Sequence, residues 1–317
     1  MKIFIVGGAG YIGSHMAKAA YRLGHKVVVI DNLSTGHKEA VLYGKFEFCD
    51  ILDRKKLDLL FKKYTPDIVV HFGAYSIVPD SVINPYEYYY NNVSGAISLF
   101  KVMIDNNCKK LIFSSSAAIF GHPEYIPIDE KHPKNPMNPY GKSKLMIEEM
   151  LKDFDCAYDL KYISFRYFNA AGHDFEGELV ERHDPETHLL PIIMQAANGQ
   201  RDFINIFGTD YDTKDGTCVR DYIHVEDIVN AHLKGIEYLM KDGAKSEEFN
   251  LGNGKGFSVK EVIQKARSIT GRKFRVIEQG RRDGDPSILI ANSKKSEETL
   301  GFFCNYISLD EIIETLK

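Results

Sequence analysis

A chain of 317 residues with a formal net charge of −4 has room for a substantial core and for about two domains. Charged residues make up 26% and form no basic run longer than Arg54-Lys55-Lys56, with pairs such as Lys109-Lys110 and Arg281-Arg282 scattered along the chain, which leaves no electrostatic case for nucleic acid. The apolar start Ile3-Phe4-Ile5-Val6 stops at Gly7-Gly8, too short for a signal-peptide core, and no run approaches the roughly 18 apolar residues of a membrane span. Cys49, Cys108, Cys156, Cys218 and Cys304 are odd in number and never in a Cys-x-x-Cys spacing, which fits a reduced cytoplasm rather than a disulfide framework.

From the N-terminus, short β-branched runs alternate with longer helical patterns. Lys2 to Val6 reads as a strand, Tyr11 to Leu23 as a helix and Lys26 to Ile30 as the next strand. The rhythm continues through Phe46 to Cys49, a helix over Arg54 to Tyr64, Asp67 to His71 and a long helix over Tyr86 to Asn106. It closes with a strand from Lys110 to Phe113, a helix from Tyr140 to Phe154 and a strand from Tyr162 to Arg166. Such alternation predicts an α/β fold with a parallel sheet covered on both faces. Beyond Asn169 the pattern loosens into turn-rich sequence (Asp174 to Gly177, Asp210 to Gly216, Asn253 to Gly256, Gly280 to Pro286). The expected division is a nucleotide-binding domain over 1–168 and a smaller mixed α/β lobe over 169–317, with about 201–232 returning to the first domain. No long Pro/Gly/Ser linker separates the two, so an extensive shared interface is expected.

Gly7-Gly8-Ala9-Gly10-Tyr11-Ile12-Gly13 contains a G-x-G-x-x-G pattern at Gly8, Gly10 and Gly13. With 25 glycines in 317 residues the bare pattern arises by chance in roughly one chain in seven. Its setting is more specific, because it follows an apolar strand, opens an amphipathic helix and is answered by Asp31, 18 residues past Gly13. Glycines there let the backbone turn tightly against a pyrophosphate at a helix N-terminus, and a carboxylate at Asp31 bonds ribose hydroxyls and repels a 2′-phosphate. This reads as a Rossmann-type, doubly wound sheet that takes NAD rather than NADP.

Ser114-Ser115-Ser116 falls at the carboxyl end of a parallel strand, where open α/β sheets bind ligands. Tyr140 and Lys144 follow with i, i+4 spacing, one face of a helix that Pro139 is suited to start. Eighteen tyrosines and 40 basic residues predict about two such pairs by chance, so the position behind the glycine loop carries the inference. A tyrosine acting as a base near neutral pH must drop about three units from its reference of about 10, which requires about 4 kcal/mol. One positive charge at about 4–6 Å supplies about 3–4 kcal/mol at an effective dielectric near 20. Lys144 together with an oxidised nicotinamide is sufficient, with Tyr140 as base and Ser116 polarising the oxygen that loses its proton.

These motifs together resemble the extended short-chain dehydrogenase/reductase family and, within it, the UDP-glucose (UDP-galactose) 4-epimerases. The resemblance covers nearly the whole chain. It includes Asp31-Asn32, Cys49-Asp50-Ile51, His71-Phe72-Gly73-Ala74, Asn91-Asn92-Val93 and Arg166-Tyr167-Phe168-Asn169. Downstream it takes in Glu186-Thr187-His188-Leu189-Leu190-Pro191, the segment from Asp215 to Val225, and Arg281-Arg282-Asp283-Gly284-Asp285-Pro286.

The resemblance implies a tightly held NAD contacted by Gly7, Gly10, Tyr11, Ile12, Gly13, Asp31, Asn32, Asp50, Ile51, Phe72, Ala74, Asn91, Tyr140, Lys144 and Tyr167. It implies that Tyr140, assisted by Lys144 and Ser116, takes the proton of the sugar 4-hydroxyl. Hydride passes from C4 to NAD, the 4-keto sugar rotates, and hydride returns to its other face. Asn169, His188, Leu189, Arg220, Tyr222, Arg282 and Asp285, with Ser116 and Tyr140, are the implied contacts to a UDP-sugar. Arg220 and Arg282 have the charge to neutralise a diphosphate; the plainer alternative makes them ion pairs with Asp221 and Asp285. A homodimer through the long helix and the Tyr140 helix is also implied.

Some positions depart from common family patterns. Ser76 stands where a lysine is frequent, Ala118 and Phe120 replace a hydroxyl residue and a tyrosine, and Leu289 is intermediate in bulk at a wall position that influences acceptance of an N-acetyl group. Other enzymatic readings are an epimerase for UDP-N-acetylglucosamine or UDP-glucuronate, or a UDP-glucuronate decarboxylase. Dehydratases need a carboxylate after the serine strand, and Ser116-Ala117-Ala118 offers none. A silent NAD-binding regulator is the non-enzyme alternative, against which stand the intact Tyr140, Lys144 and Ser116. The His183 and His188 strip lacks the i, i+4 spacing of a helical zinc pair and is interrupted by Pro185, so no metal is expected. Tyr86, Tyr88, Tyr89 and Tyr90 lack a basic groove and read as the start of a packed helix.

Overall fold

The computed structural model describes residues 1–282 and 284–317; Asp283, within the expected Arg281 to Pro286 segment, lies outside the described residues. The first half runs β1 (Lys2–Val6), α1 (Tyr11–Arg22), β2 (Lys26–Asp31), β3 (Lys45–Phe48), α2 (Arg54–Tyr64) and β4 (Ile68–His71). It continues with α3 (Val78–Ile83), α4 (Pro85–Tyr88), a π-helical turn over Tyr89–Ser94, α5 (Gly95–Asp105), β5 (Lys110–Ser116), α6 (Pro139–Tyr158) and β6 (Lys161–Tyr167). The second half runs β7 (Asn169–Ala171), α7 (Leu189–Ala197), β8 (Phe203–Phe207), β9 (Val219–His224), α8 (Val225–Leu239) and β10 (Glu247–Leu251). It ends with β11 (Gly256–Ser258), α9 (Val259–Thr270), β12 (Arg275–Gln279), β13 (Ile288–Leu289), α10 (Lys294–Leu300) and α11 (Leu309–Glu314).

The large sheet has seven strands in the order β10-β6-β5-β4-β1-β2-β3, with every pairing parallel. Its strands are apolar on both faces because both are covered. Ile3, Ile5, Val27 and Val29 pack with Met16 and Ala20 of α1 and Ile228 of α8. The alternate residues Phe4, Val6, Val28 and Ile30 pack with Leu57 and Phe61 of α2, Leu99 of α5 and Ile147 of α6. The period of two thus sorts consecutive residues into two core layers. The order reverses between β1 and β4, which opens the crevice at their carboxyl ends where the glycine loop lies.

Two expectations shift in position. The return to the large sheet runs through α8 and β10, so from the expected 201–232 segment β8 and β9 belong to small sheets, with β12 and with β7, β11 and β13 respectively. The long helix expected from Tyr86 to Asn106 is interrupted by the π-helical turn. The extra residue in that turn lets successive side chains face inward: Asn91 reaches the cleft, while buried Asn92 holds the Tyr75 backbone.

The C-terminal lobe has its own core, in which Ile193 of α7, Ile204 of β8, Val262 of α9 and Ile312 of α11 meet. Helix α9 begins on a reciprocal Ser258/Glu261 capping box. Between this lobe and the large sheet lies a cleft of ≈ 470 Å³.

Candidate active site

One end of the cleft is made by main chain. Gly7 has φ +76°, a region costly for any residue with a Cβ, and a Cβ there would lie 2.5 Å from the Gly73 nitrogen. A Cβ on Gly13 would overlap the Gly7 carbonyl oxygen. Strand β1, the loop and the first turn of α1 are therefore pressed together, and the N-terminus of α1 opens on the cleft. Asp31 ends β2, and its carboxylate accepts from Ala9 N at 2.9 Å and Leu33 N at 2.8 Å, so it is held rigid at the cleft wall. Burial pushes its pKa up, and those backbone donors pull it back. Gly10, Tyr11, Ile12, Asn32, Ile51, Phe72, Ala74, Asn91 and Tyr167 line the same region.

Asp50 does not line the cleft: it stands behind Asn32, accepting from Asn32 Nδ2 and Leu52 N, each at 2.8 Å. The cradle that any Cβ would fill, the helix N-terminus and the fixed carboxylate fit a dinucleotide whose ribose is unphosphorylated.

At the middle of the cleft, Ser116, Tyr140 and Lys144 come together. Helix α6 starts where the sequence predicts, because Pro139 occupies its first turn and Asn138 Oδ1 accepts from Gly141 N at 2.9 Å. Lys144 is 2% exposed; its Nζ donates to the Ser114 carbonyl at 2.6 Å and lies 5.8 Å from the centre of the Tyr140 ring. Burial drives the lysine down to about 7 against the pull of Glu148. It pushes the Tyr140 phenol up, while a hydrogen bond with Ser116 draws it back.

Behind Lys144, buried His71 is held neutral, pushed down to about 3 by burial and by the lysine's charge. Ser115 faces the other way, donating to Glu148 Oε1 at 2.6 Å beside the fully buried Glu148 and Arg166 pair. Asn92, quoted in the sequence only as a motif partner, also bonds Ser143 Oγ at 3.0 Å and so ties the loop after β4 to α6.

On the side of the C-terminal lobe the cleft is lined by Asn169, Glu181, His183, His188, Arg220, Asp285 and Leu289, with the His183 ring 6.3 Å from that of Tyr11. Arg220 pairs with Asp285, not with its neighbour Asp221, which is buried and accepts from Asn253, Gly254 and Ala291 backbone nitrogens. Three expected contacts stand elsewhere. Leu189 opens α7 and packs against the lobe core, as its apolar side chain favours. Tyr222 shares the face of β9 with Arg220 but lies a strand step deeper, in the apolar cluster of Ile193. Arg282 stacks its guanidinium 3.8 Å from the centre of the Phe207 ring, outside the cleft lining.

Ser76 and Ala118 line the cleft, whereas Phe120 is buried under Arg166. Glu181, given no role from the sequence, and Glu186 of the Glu186-Thr187-His188 motif are the acidic partners of His188. Their signal was a dense run of titratable groups just before the Thr187-His188 motif.

A doubly wound sheet with a glycine cradle, and a tyrosine and lysine meeting a strand-end serine, define a short-chain dehydrogenase/reductase that works with NAD. The model of the NAD dependent epimerase/dehydratase family matches residues 3–252. A relative from Halalkalibacterium halodurans named UDP-glucose 4-epimerase is 50% identical over 314 residues, covering 99% of this chain and 94% of its own. The crystal structure of UDP-glucose 4-epimerase from Brucella ovis in complex with NAD superposes with a TM-score of 0.96 at 47% identity, covering 99% of this chain and 96% of the other. The enzyme of the same name from Bifidobacterium longum, in complex with NAD+ and UDP, gives a TM-score of 0.94 at 33% identity, with the same coverage of both chains. The chain belongs to the NAD dependent epimerase/dehydratase family, in its UDP-glucose 4-epimerase branch.

Proposed function

We propose that this chain interconverts UDP-glucose and UDP-galactose by NAD-dependent 4-epimerisation. The observation that carries the reading is the meeting of Ser116, Tyr140 and Lys144 midway along a cleft that has a dinucleotide cradle at one end and Arg220 with Asp285 at the other. NAD, when bound, supplies a positively charged acceptor that takes a hydride from the sugar C4 and returns it. Gly7, Gly10 and Gly13 would hold its pyrophosphate, and Asp31 its ribose. Tyr140 removes the 4-hydroxyl proton and gives it back, which requires a positive neighbourhood to overcome the burial that raises the phenol. Lys144, fixed by the Ser114 carbonyl, brings one charge to within a few ångströms of that ring. Ser116 orients the oxygen that loses the proton. Asn169 and Arg220 hold the sugar nucleotide, and its binding competes with Asp285 for the Arg220 guanidinium.

Val82, Ile83, Tyr86 and Tyr90 are exposed on α3, α4 and the π-helical turn, and Met146 is exposed on α6. A second copy of the chain covers this face in our reading, and sedimentation at micromolar concentration tests it. All five cysteines are free, in keeping with a reduced cytoplasm.

The chain contains no tryptophan, so reduced nicotinamide in the purified protein stands out by fluorescence. Addition of UDP-galactose is expected to raise that signal, and UDP-galactose, UDP-N-acetylgalactosamine and UDP-glucuronate offered separately rank the sugars. Protein that carries no nicotinamide and answers none of the three contradicts the reading.

A further inference from the structure

The strip from Glu181 to His188 gathers its charged atoms at one point of the cleft. Glu181 Oε1 lies 2.9 Å from His183 Nδ1 and 3.0 Å from His188 Nδ1, and Glu186 Oε1 lies 2.9 Å from His188 Nδ1. The carboxylates are nearly sealed, with side chains 2% and 5% exposed, whereas His188 is 44% exposed. Glu186 Oε1 also accepts from the backbone nitrogens of Thr187 and His188 at 2.7 Å each. An oxygen already receiving that many protons is a poor metal ligand, so the cluster is organised around shared protons. A ring nitrogen 3.0 Å from Glu181 Oε1 and 2.9 Å from Glu186 Oε1 must carry a hydrogen, since a bare lone pair there would face two acceptor oxygens. Nδ1 is thereby committed, and Nε2 has no protein partner among the described residues.

We propose that Glu181 and Glu186 are positioning residues that hold His188 as a fixed imidazolium, whose Nε2–H donates to a ligand diphosphate in the cleft. Of the other cationic side chains there, Lys144 is engaged by the Ser114 carbonyl and Arg220 by Asp285. His188 adds a charge that is already oriented before ligand arrives, so little ordering is lost on binding. Burial opposes that charge, but the two carboxylates outweigh it and raise the imidazole to about 10. Glu181 is correspondingly held down at about 2 despite its burial. The groups facing the ring are Glu181, Glu186 and His183 from its own segment, with Tyr11 of α1 beside His183; Arg220 and Asp285 line the same cleft without a contact to it among the described residues. The identity of the diphosphate as that of a UDP-sugar rests on the function proposed above; the pyrophosphate of the dinucleotide is the other source of the same chemistry.

The test compares the NAD-loaded enzyme with Glu181→Gln and Glu186→Gln. Calorimetric binding of UDP-glucose, whose diphosphate diester does not titrate in this range, is measured from pH 6 to 9 alongside retained NAD. The wild-type affinity is expected to stay within about twofold across the range, while each variant weakens about tenfold at pH 8.5 and recovers at pH 6, where an ordinary histidine is charged. The same pH-dependent loss appearing in NAD content instead assigns the donor to the dinucleotide. Nitrogen-15 NMR of wild-type His188 is expected to show both ring nitrogens protonated to about pH 9, a readout independent of variant folding. A neutral His188 at pH 7.5, pH-independent affinity and NAD retention in both variants, or stoichiometric Co2+ binding with tetrahedral absorption overturns the proposal. A charged His188 and acid-rescued variants in an enzyme that converts no UDP-hexose uphold the cluster and refute the function instead.

Discussion

The wall of the cleft that runs from Gly7 to Asp31 is made of main chain, whereas the wall that runs from Glu181 to Asp285 is made of paired side-chain charges. In the first, position is set by backbone that can approach backbone only because Gly7 and Gly13 lack a Cβ. In the second it is set by ion pairs, Arg220 with Asp285 and His188 with two glutamates, carried on loops and short strands from separated parts of the chain. Steric walls fail abruptly, since overlap with backbone has no soft escape. Charged walls fail by degrees, because pairs in a partly open cleft can re-form or draw on water. The middle of the cleft takes from both, with a buried lysine held by a carbonyl.

That contrast is best broken at Gly13. Gly13→Val is expected to yield protein with less than about a tenth of the wild-type NAD content and no turnover, read by absorbance of the extracted dinucleotide. Gly243→Ala is the control, because nothing lies within 4 Å of the added carbon and only its φ of +73° disfavours a side chain. It should cost only about 1 kcal/mol in denaturant unfolding. Next in size, Tyr140→Phe should retain NAD and fold normally while turnover falls about 10²–10⁴-fold, the range of a lost general base.

Acid should then separate the buried histidines from His188. His15, His71, His224 and His232 are almost fully buried and held near 3 to 4 by desolvation. Below about pH 6.5 the unfolded chain binds protons that the native state refuses, so stability falls as pH drops, by about 2 kcal/mol per histidine between pH 6.5 and 5. His188 has the opposite sign: its raised pKa contributes stability below pH 6.5 that fades as pH rises toward 10. Chemical denaturation at pH 5, 7 and 9 reads both limbs.

On the charged wall, Arg220→Ala should raise KM for the sugar nucleotide about ten- to a hundredfold with a smaller effect on kcat, because Asp285 is left unpaired but solvent-accessible. The smallest effect expected is a gain. Lys144→Met replaces an ammonium that burial has driven down to about 7, so the inactive variant should melt a few degrees higher than wild type at neutral pH.

The main-chain wall was legible in the sequence because its requirements are local: glycines at fixed offsets, an apolar strand before them and an acid at the end of the next strand. The Tyr140 helix was legible for the same reason, since Asn138 and Pro139 mark its start beside the reacting residues. What sequence missed depends on tertiary pairing. Nothing near Arg220 points to Asp285, since the adjacent Asp221 is the obvious partner until loops at Asn253 and Ala291 are seen to occupy it. Tyr222 and Leu189 belong to recognisable motifs, but burial depth along a strand and the facing of a first helical residue are settled by the lobe core. The π-helical turn had no signal in the periodicity from Tyr86 to Asn106, because one extra residue leaves the apolar pattern on either side intact.

The proposed proton site at Tyr140 serves both directions of a reaction with no net oxidation. Its most direct test is nuclear magnetic resonance of UDP-galactose incubated with the purified enzyme and no added NAD. UDP-glucose is expected to accumulate to equilibrium over many turnovers per enzyme, with no free NADH and with Tyr140→Phe nearly inert. Unchanged UDP-galactose in the presence of NAD-loaded wild-type protein, or a stoichiometric oxidised sugar nucleotide released in its place, would contradict it.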